Sequence, residues 1–253
     1  KEAVGEETPK PEEWNNNISS RCGADPEGVE KAVAMLVSAK RPVILVGQGV
    51  KYAKATSDLL LLAERLRIPI AWSASGTGAV DATHPLALGL IARNGTFQAN
   101  HAARQADVLL ALGVRFDDRT SSSWIPGYSF SIPPTKLIHV DIDPDEIARN
   151  YPVALGLMAD VRTFLRQVLD SIAARPEAVT LTDARRNWLA VIDDYKKKWA
   201  EFIAPGFSDN SSPIHPQRAV QALQERPVGY VAPITNLDEQ VLQVRITGQR
   251  RIF

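Results

Sequence analysis

The apolar residues of this chain alternate between short continuous runs and runs with helical spacing. Continuously apolar runs of five or six residues are typical of strands that are buried on both faces of a parallel sheet. Five predominantly apolar runs of this length lie at residues 42–46, 68–72, 107–112, 136–140 and 153–157, and the first of them is apolar throughout. We therefore predict a parallel sheet whose strands are separated by helices.

The segments between these runs carry apolar residues every three or four positions, which predicts amphipathic helices. These segments lie at residues 25–37, 55–66, 97–105 and 161–172, and a further helix is expected from about Pro144. Asp25 and Asp160 each stand where a helix begins and suit its N-cap. The pattern is that of five or six parallel strands with helices on both faces, and the predicted fold class is α/β, a doubly wound parallel six-stranded sheet.

The flanks of this region differ from it in composition. We predict four parts, a linker at residues 1–24, a central domain at 25–178, a helical connector at 179–227 and an atypical, poorly packed tail at 228–253. In the connector, the helix from Trp188 to Phe202 has an aromatic face. That face is expected to pack on the central domain or on another domain.

Charge and cysteine content exclude several classes of function. Lys plus Arg and Asp plus Glu number 29 each, so no net charge attracts the chain to nucleic acid or anionic lipid. The single cysteine, Cys22, cannot form an internal disulfide, and one Cys with four His gives no zinc-ligand set. No apolar run approaches the ~20 residues that cross a bilayer. We expect a cytoplasmic protein without nucleic-acid or membrane partners.

Chemistry-bearing residues follow three of the predicted strands. In an open parallel sheet, ligands bind beyond the carboxyl ends of the strands. Glycines there let the backbone approach a phosphate, arginines neutralise a pyrophosphate, and a carboxylate accepts ribose hydroxyls. The residues concerned are Gly47 and Gly49, then Gly113, Arg115, Asp117, Asp118 and Arg119, then Asp141 and Asp143. Together they predict an adenine-dinucleotide site, with Gly47, Gly113 and Asp141 at one edge of the sheet.

Each of these features also has a purely structural explanation. The two glycines after the first strand can serve a turn alone, and Arg115 and Arg119 can pair with Asp117 and Asp118 at the surface. Asp143 before Pro144 suits a helix N-cap, which favours Asp141 as the ribose acceptor.

The remaining loops and motifs supply no reactive group. His84 and the loop at residues 89–95 are expected on the same side of the sheet as the candidate site. No nucleophile elbow, P-loop or paired metal ligands are recognisable, so we predict neither a catalytic residue nor a metal ligand.

Three motifs resemble the central domain of acetolactate synthases, which are thiamine-diphosphate-dependent enzymes. They are HPLALG at residues 84–89 with Gly95 and Thr96, LGVRFDDR at 112–119, and IHVDID at 138–143. The resemblance covers residues 25–172 and implies a Rossmann-like domain that binds FAD, whereas some relatives with the same fold bind ADP or no nucleotide. It implies that Arg119 faces the substrate entrance. The residues it implies along the FAD are Gly47, Gly49, Gly89, Gly113, Arg115, Asp118, Asp141 and Asp160.

In that family the whole enzyme is an oligomeric transferase of branched-chain amino acid biosynthesis that joins two 2-keto acids. Thiamine diphosphate and Mg²⁺ lie between the first domain of one subunit and the third domain of another, and the flavin undergoes no redox step. The resemblance therefore implies a fragment that is inactive alone, whose residues 179–227 run into a truncated thiamine-diphosphate domain. Two features depart from the family, namely Gln48 between Gly47 and Gly49 and the Ser- and Pro-rich residues 120–134.

Other functions remain open at this point. The chain could belong to a thiamine-dependent decarboxylase or acetyltransferase, or it could be a stand-alone nucleotide-binding module. A nicotinamide-dependent oxidoreductase is disfavoured, because the three-glycine fingerprint followed by an acidic residue is missing.

Overall fold

The computed structural model describes residues 20–175 and 182–225. The predicted tail and most of the predicted linker lie outside these residues. Six strands form the sheet: β1 (Pro42–Val46), β2 (Ile70–Trp72), β3 (Ala87–Leu90), β4 (Val108–Leu112), β5 (Lys136–Asp141) and β6 (Leu155–Met158). The helices are α1 (Pro26–Ser38), α2 (Gln48–Tyr52), α3 (Thr56–Leu66), α4 (Phe97–Gln105), α5 (Val161–Ala173), α6 (Asp183–Ser208) and α7 (Pro216–Glu225).

The sheet is parallel throughout and its strand order is β3-β2-β1-β4-β5-β6. The chain therefore builds outward from β1 in one direction and then returns to build outward from β4 in the other. The two halves meet where β1 pairs with β4 along five residues, from Pro42 opposite Val108 to Val46 opposite Leu112. The predicted fold class, a doubly wound parallel six-stranded sheet, is confirmed.

Apolar cores cover both faces of the sheet. Alternate residues of a strand point to opposite faces, and in β1 both sets are buried. Ile44 and Val46 join the core beneath α1, α3 and α5, whereas Val43 and Leu45 join the core beneath α4 and the first part of α6. The continuous apolar run of this strand follows from that double burial.

Two aspartates cap helices as predicted. Asp25 Oδ1 accepts from the Glu27 N–H at 2.9 Å, and Asp160 Oδ1 accepts from the Thr163 N–H at 3.0 Å. The Asp160 carboxylate also forms an ion pair with Arg21 at 2.9 Å. Packing therefore begins a few residues before Asp25, inside the segment that composition assigns to the linker.

The prediction of a helix from about Pro144 is wrong. Residues 144–149 form successive turns, closed by Glu146 N–H to Asp143 O and Arg149 N–H to Glu146 O. The Asp143 carboxylate accepts from the Asp145 N–H at 3.0 Å, and Ala148 has φ +61°. A left-handed residue so close to the start prevents the segment from continuing as an α-helix.

The segment around Gly89 is also different from the prediction. Residues 87–90 form the edge strand β3, not a loop, and its register with β2 shifts beside Gly89, which has φ +105°. A run of four residues that contains a glycine is too short to identify from apolar content.

His84 was expected on the same side of the sheet as the candidate site, but it precedes β3. It therefore lies at the amino ends of the strands, whereas the candidate site lies at their carboxyl ends. The His84 ring bonds to Glu64 Oε1 at 3.0 Å and accepts from the Leu86 N–H at 3.2 Å.

A buried arginine anchors the start of α6. Arg185 is 4% exposed, and its guanidinium donates to the carbonyl oxygens of Leu36 and Ala39 at 2.6 Å each and of Leu66 at 3.0 Å. These carbonyls belong to the ends of α1 and α3, where the helices have no partners of their own. Burial lowers the pKa of the guanidinium.

The aromatic face of α6 has two parts. Trp188 and Ile192 are buried against the sheet, and the Tyr195 hydroxyl accepts from Gln105 Nε2 at 2.7 Å. Trp199 stacks on Phe202, which is 73% exposed. The first half of the helix therefore packs on the central domain, and α6 also contacts α7.

Candidate functional site

The carboxyl ends of β1, β4 and β5 bring together the residues that the sequence singles out. The Gly47 N–H donates to Leu112 O at 3.0 Å, and the Gly113 N–H donates to Val140 O at 2.8 Å. Asp141 is the last residue of β5. The structure thus places Gly47, Gly113 and Asp141 at one edge of the sheet, at the point where its strand order reverses.

The glycines at this edge pack directly on one another. A Cβ atom on Gly47 would lie 1.9 Å from Gly113 O, and one on Gly49 would lie 2.7 Å from Gly113 Cα. Gly113 itself has φ +57°. Close backbone contact between β1 and β4 therefore accounts for all three glycines without a ligand. Gly76, after β2, was not predicted, and its Cβ would lie 2.3 Å from Val46 O.

Arg115 projects from the loop after β4 and keeps most of its side chain in solvent. The side chain is 71% exposed, and Nε lies 3.5 Å from Glu146 Oε1. Glu146 is only 9% exposed and also pairs with Arg149 at 2.9 Å. Arg115 does form an ion pair, but its partner is Glu146 and not the neighbouring Asp117 or Asp118.

The two aspartates of this loop have local partners. Asp117 Oδ1 accepts from the Thr120 N–H at 2.7 Å, and Asp118 Oδ1 accepts from the Ser123 hydroxyl at 2.7 Å. Asp118 and Arg119 are exposed. The loop from Gly113 to Arg119 is thus tied to the segment that follows it.

Side chains from three segments hold the backbone on either side of Arg115. His139 Nε2 bonds to Val114 O at 2.9 Å, so the ring carries its proton on that nitrogen. Phe116 O accepts from Trp124 Nε1 at 2.9 Å and from Asn150 Nδ2 at 2.8 Å. The Phe116 ring packs edge-on against His139, Phe130 and Tyr151.

Sequence reasoning missed His139, Trp124 and Asn150. Burial lowers the pKa of His139, which keeps the ring neutral, although Asp141 and Glu146 act in the opposite direction. The aromatic residues in and after the loop that follows β4 were the only sign of such contacts in the sequence. They do not indicate which donor bonds to which carbonyl.

The segment after this loop has an unusual backbone. Ser122, Ser123 and Trp124 have φ values of 50°, 58° and 55° in succession. Each such conformation costs a non-glycine residue about 1–2 kcal/mol. The Ser122 and Ser129 hydroxyls bond to each other at 2.8 Å, and Arg93 donates to the Ser123 hydroxyl at 2.8 Å.

The remaining candidates lie at different parts of the edge. Asp141 is buried, and its Oδ1 accepts from the Asp143 N–H at 3.0 Å. Asp160 follows β6, and its two oxygens already serve Thr163 and Arg21. Gly89 lies within β3, on the other side of β1 and β2. The compact group is therefore Gly47, Gly49, Gly113, Arg115 and Asp141, with Asp160 and Gly89 further away.

In residues 20–175 and 182–225, no group of three or more His, Cys, Asp or Glu residues could hold a metal ion. No helix in the same residues is long and apolar enough to cross a membrane.

A cavity of about 140 Å³ between α1 and α5 is lined mainly by apolar groups such as Val33, Val37 and Ile172. Its lining residues belong to α1, to α5 and to Arg175 just after α5, and none of them belongs to the candidate site at the carboxyl ends of the strands.

An open, doubly wound parallel sheet with glycines and charged side chains at its reversal point defines the class of α/β domains that bind ligands at the carboxyl edge. Comparison with known families is more specific. Residues 29–168 match the model of the thiamine pyrophosphate enzyme central domain, which is more than half of the chain. The chain therefore belongs to the thiamine pyrophosphate enzymes, as its motifs indicate.

Curated relatives agree with this assignment. The chain is 36% identical over 200 residues to a probable acetolactate synthase large subunit of Methanocaldococcus jannaschii, covering 79% of this chain and 32% of the relative. It is 34% identical over 207 residues to the acetolactate synthase large subunit of Haemophilus influenzae, covering 81% and 34%. It is 32% identical over 195 residues to the isozyme 3 large subunit of Escherichia coli, covering 77% and 32%. The chain thus spans about a third of the length of these relatives.

Proposed function

We propose that this chain is the nucleotide-binding, non-catalytic part of a thiamine-diphosphate-dependent carboligase of the acetolactate synthase type, and that it binds FAD or ADP. The observation that carries the proposal is the solvent-exposed Arg115 side chain in the loop after β4, together with the Asp141 carboxylate at the end of the neighbouring strand β5. A cation and a carboxylate on adjacent strand ends suit a pyrophosphate and a ribose.

The donor set fits an adenine nucleotide. Arg115 has only a loose ion pair with Glu146, so its guanidinium retains N–H groups for a phosphate. Asp141 Oδ1 already accepts from the Asp143 N–H, and the carboxylate has further lone pairs for a ribose hydroxyl. Gly47, Gly49 and Gly113 would contribute to nucleotide binding indirectly. Their mutual contact keeps the backbone segments after β1 and β4 close together.

Three further residues have subsidiary places in the proposal. Gly89 and Asp118 would lie at the margin of the nucleotide. Asp160 would contribute mainly through its position at the start of α5, since both of its oxygens have protein partners. Arg119 is exposed on the same loop as Arg115, and we assign it to the substrate entrance.

In the proposed whole enzyme, residues 25–178 form the central domain, and residues 179–227 lead into the domain that follows. The reaction joins two 2-keto acids at thiamine diphosphate with Mg²⁺, in branched-chain amino acid biosynthesis, within a homo-oligomer. FAD would bind as a structural group, with no redox step in this reaction. This chain contributes binding and orientation at the carboxyl edge, and we expect no acetolactate formation from it alone.

Calorimetric titration of the chain with FAD, ADP and NAD tests the proposal. We expect FAD or ADP to bind, and Arg115→Ala to weaken that binding by about 10- to 100-fold, because a charge-assisted hydrogen bond contributes about 1.5–3 kcal/mol. Arg166→Ala is the matched control, since it also removes an exposed arginine that pairs with a carboxylate, but on α5. Absence of binding at millimolar concentration, or equal binding by the Arg115 and Arg166 variants, would contradict the proposal.

A further inference from the structure

We infer that Trp124 and Asn150 are positioning residues for Arg115, so that nucleotide affinity depends on two side chains that need not contact the nucleotide. The inference rests on the proposed function, because it concerns the same site. Its basis is the carbonyl of Phe116, which accepts from the Trp124 indole at 2.9 Å and from the Asn150 amide at 2.8 Å. Phe116, which carries this carbonyl, is the residue after Arg115 in the chain.

The two donors reach the carbonyl from different parts of the chain. Trp124 lies in the segment after the loop, whereas Asn150 lies in the turns after β5. On the preceding side of Arg115, His139 fixes the carbonyl of Val114 from within the sheet. The backbone on both sides of Arg115 is therefore held by side chains, and the exposed guanidinium extends from a rigid base.

The geometry of Trp124 favours positioning over a role in the core. Its side chain remains 43% exposed, so it buries far less apolar surface than a core tryptophan. The left-handed backbone of Ser122, Ser123 and Trp124 is unfavourable and requires compensating contacts. The Trp124 indole N–H donates to Phe116 O, and the Ser123 hydroxyl donates to Asp118 Oδ1. Both contacts join this segment to the loop that carries Arg115.

Glu146 completes the support of the arginine. Its carboxylate is almost buried and lies 3.5 Å from Arg115 Nε and 2.9 Å from Arg149. Asn150 follows Arg149 directly, in the bend that comes after these turns. The segment after β5 therefore contacts both the side chain of Arg115 and the backbone beside it, which links the affinity of the site to the conformation of residues 144–150.

Trp124→Phe tests the inference, because it keeps an aromatic ring but removes the N–H donor. ADP affinity is measured by calorimetry in the parent and in the Arg115→Ala background, together with amide hydrogen exchange of residues 115–118. Trp199→Phe is the matched control, because Trp199 is a partly exposed tryptophan on α6 that stacks on Phe202. Asn150→Ala removes the second donor and serves as an independent variant if Trp124→Phe does not fold.

We expect Trp124→Phe and Asn150→Ala each to weaken ADP binding about three- to tenfold and to accelerate exchange at residues 115–118. Neither change should weaken binding further when Arg115 is already alanine, because the effect acts through that side chain. Equal weakening in both backgrounds would mean a general effect on folding and would overturn the inference.

Two other results separate the inference from the proposed function. If Arg115→Ala binds ADP more weakly while Trp124→Phe and Asn150→Ala bind like Trp199→Phe, the inference is wrong and the proposed function stands. If Arg115→Ala binds ADP as the parent does, the proposed function fails and the inference fails with it.

Discussion

Replacing Arg185 by Met should destabilise the central domain, because this buried arginine joins α6 to the ends of α1 and α3. Methionine keeps an unbranched apolar stem but removes the guanidinium that caps α1 and α3. The carbonyl oxygens of Leu36, Ala39 and Leu66 then lose a charged donor in a buried position. The matched control is Arg186→Met, because Arg186 is the next residue, is 56% exposed and pairs with Asp183.

The expected cost follows from these contacts. Each buried acceptor left without a donor costs about 1–3 kcal/mol, and removing the buried cation recovers part of its desolvation penalty. A net loss of about 2–4 kcal/mol in the free energy of unfolding is therefore expected. The exposed control should change this free energy by less than about 0.5 kcal/mol.

Urea unfolding monitored by circular dichroism measures both variants. For a slope of about 2–3 kcal/mol per molar, the midpoint of Arg185→Met should fall by roughly 1 M, whereas that of Arg186→Met should stay close to the parent. Arg185→Lys should fall between them, since it keeps the charge but loses the planar fork of donors. If Arg185→Met and Arg186→Met unfold at the same midpoint, the guanidinium does not stabilise these helix ends.

Two further predictions concern the carboxyl edge. Gly113→Ala should cost about 2–4 kcal/mol of unfolding free energy, because the residue has φ +57° and its new Cβ would lie 2.5 Å from Gly49 Cα. Gly78→Ala has φ +85° but no atom within 4 Å, so it should cost only about 1 kcal/mol, and equal urea midpoints would refute the packing argument. Because burial holds the pKa of His139 below its ordinary value of 6.5, the unfolded chain binds the proton first, and stability should fall as pH drops below 6.5. His139→Gln should show a shallower loss in urea unfolding between pH 7.5 and 5, and parallel curves for the two proteins would exclude this explanation.

The fold was largely predictable because its determinants are local. Strand β1 is buried on both faces and is therefore apolar at every position, and α5 shows its buried residues at helical spacing after an aspartate cap. Strand β3 was missed because only four residues form it and its glycine breaks the pattern. The turns after Asp143 were mistaken for a helix, since an Asp-Pro pair suits both a helix start and a turn.

The candidate site was predictable only in its position. Residues that follow adjacent parallel strands must meet at one edge, so Gly47, Gly113 and Asp141 could be placed without coordinates. Which groups pair with Arg115 depends on Glu146, whose turn had been assigned to a helix. The hydrogen bond from Trp124 to Phe116 O depends on the left-handed backbone of residues 122–124. No periodicity in the sequence predicts that conformation.

The seam between β1 and β4 also bears on how the domain folds. Val46 and Leu112 are partners in register, yet β2, β3 and α4 lie between them in the chain. Pairing of such distant segments requires closure of a long loop, which makes it a slow step compared with helix formation. Neither half of the sheet alone contains both Gly47 and Gly113, so the edge exists only after the two halves have joined. If the edge binds a nucleotide as proposed, the moment at which binding appears during refolding would report when β1 and β4 pair.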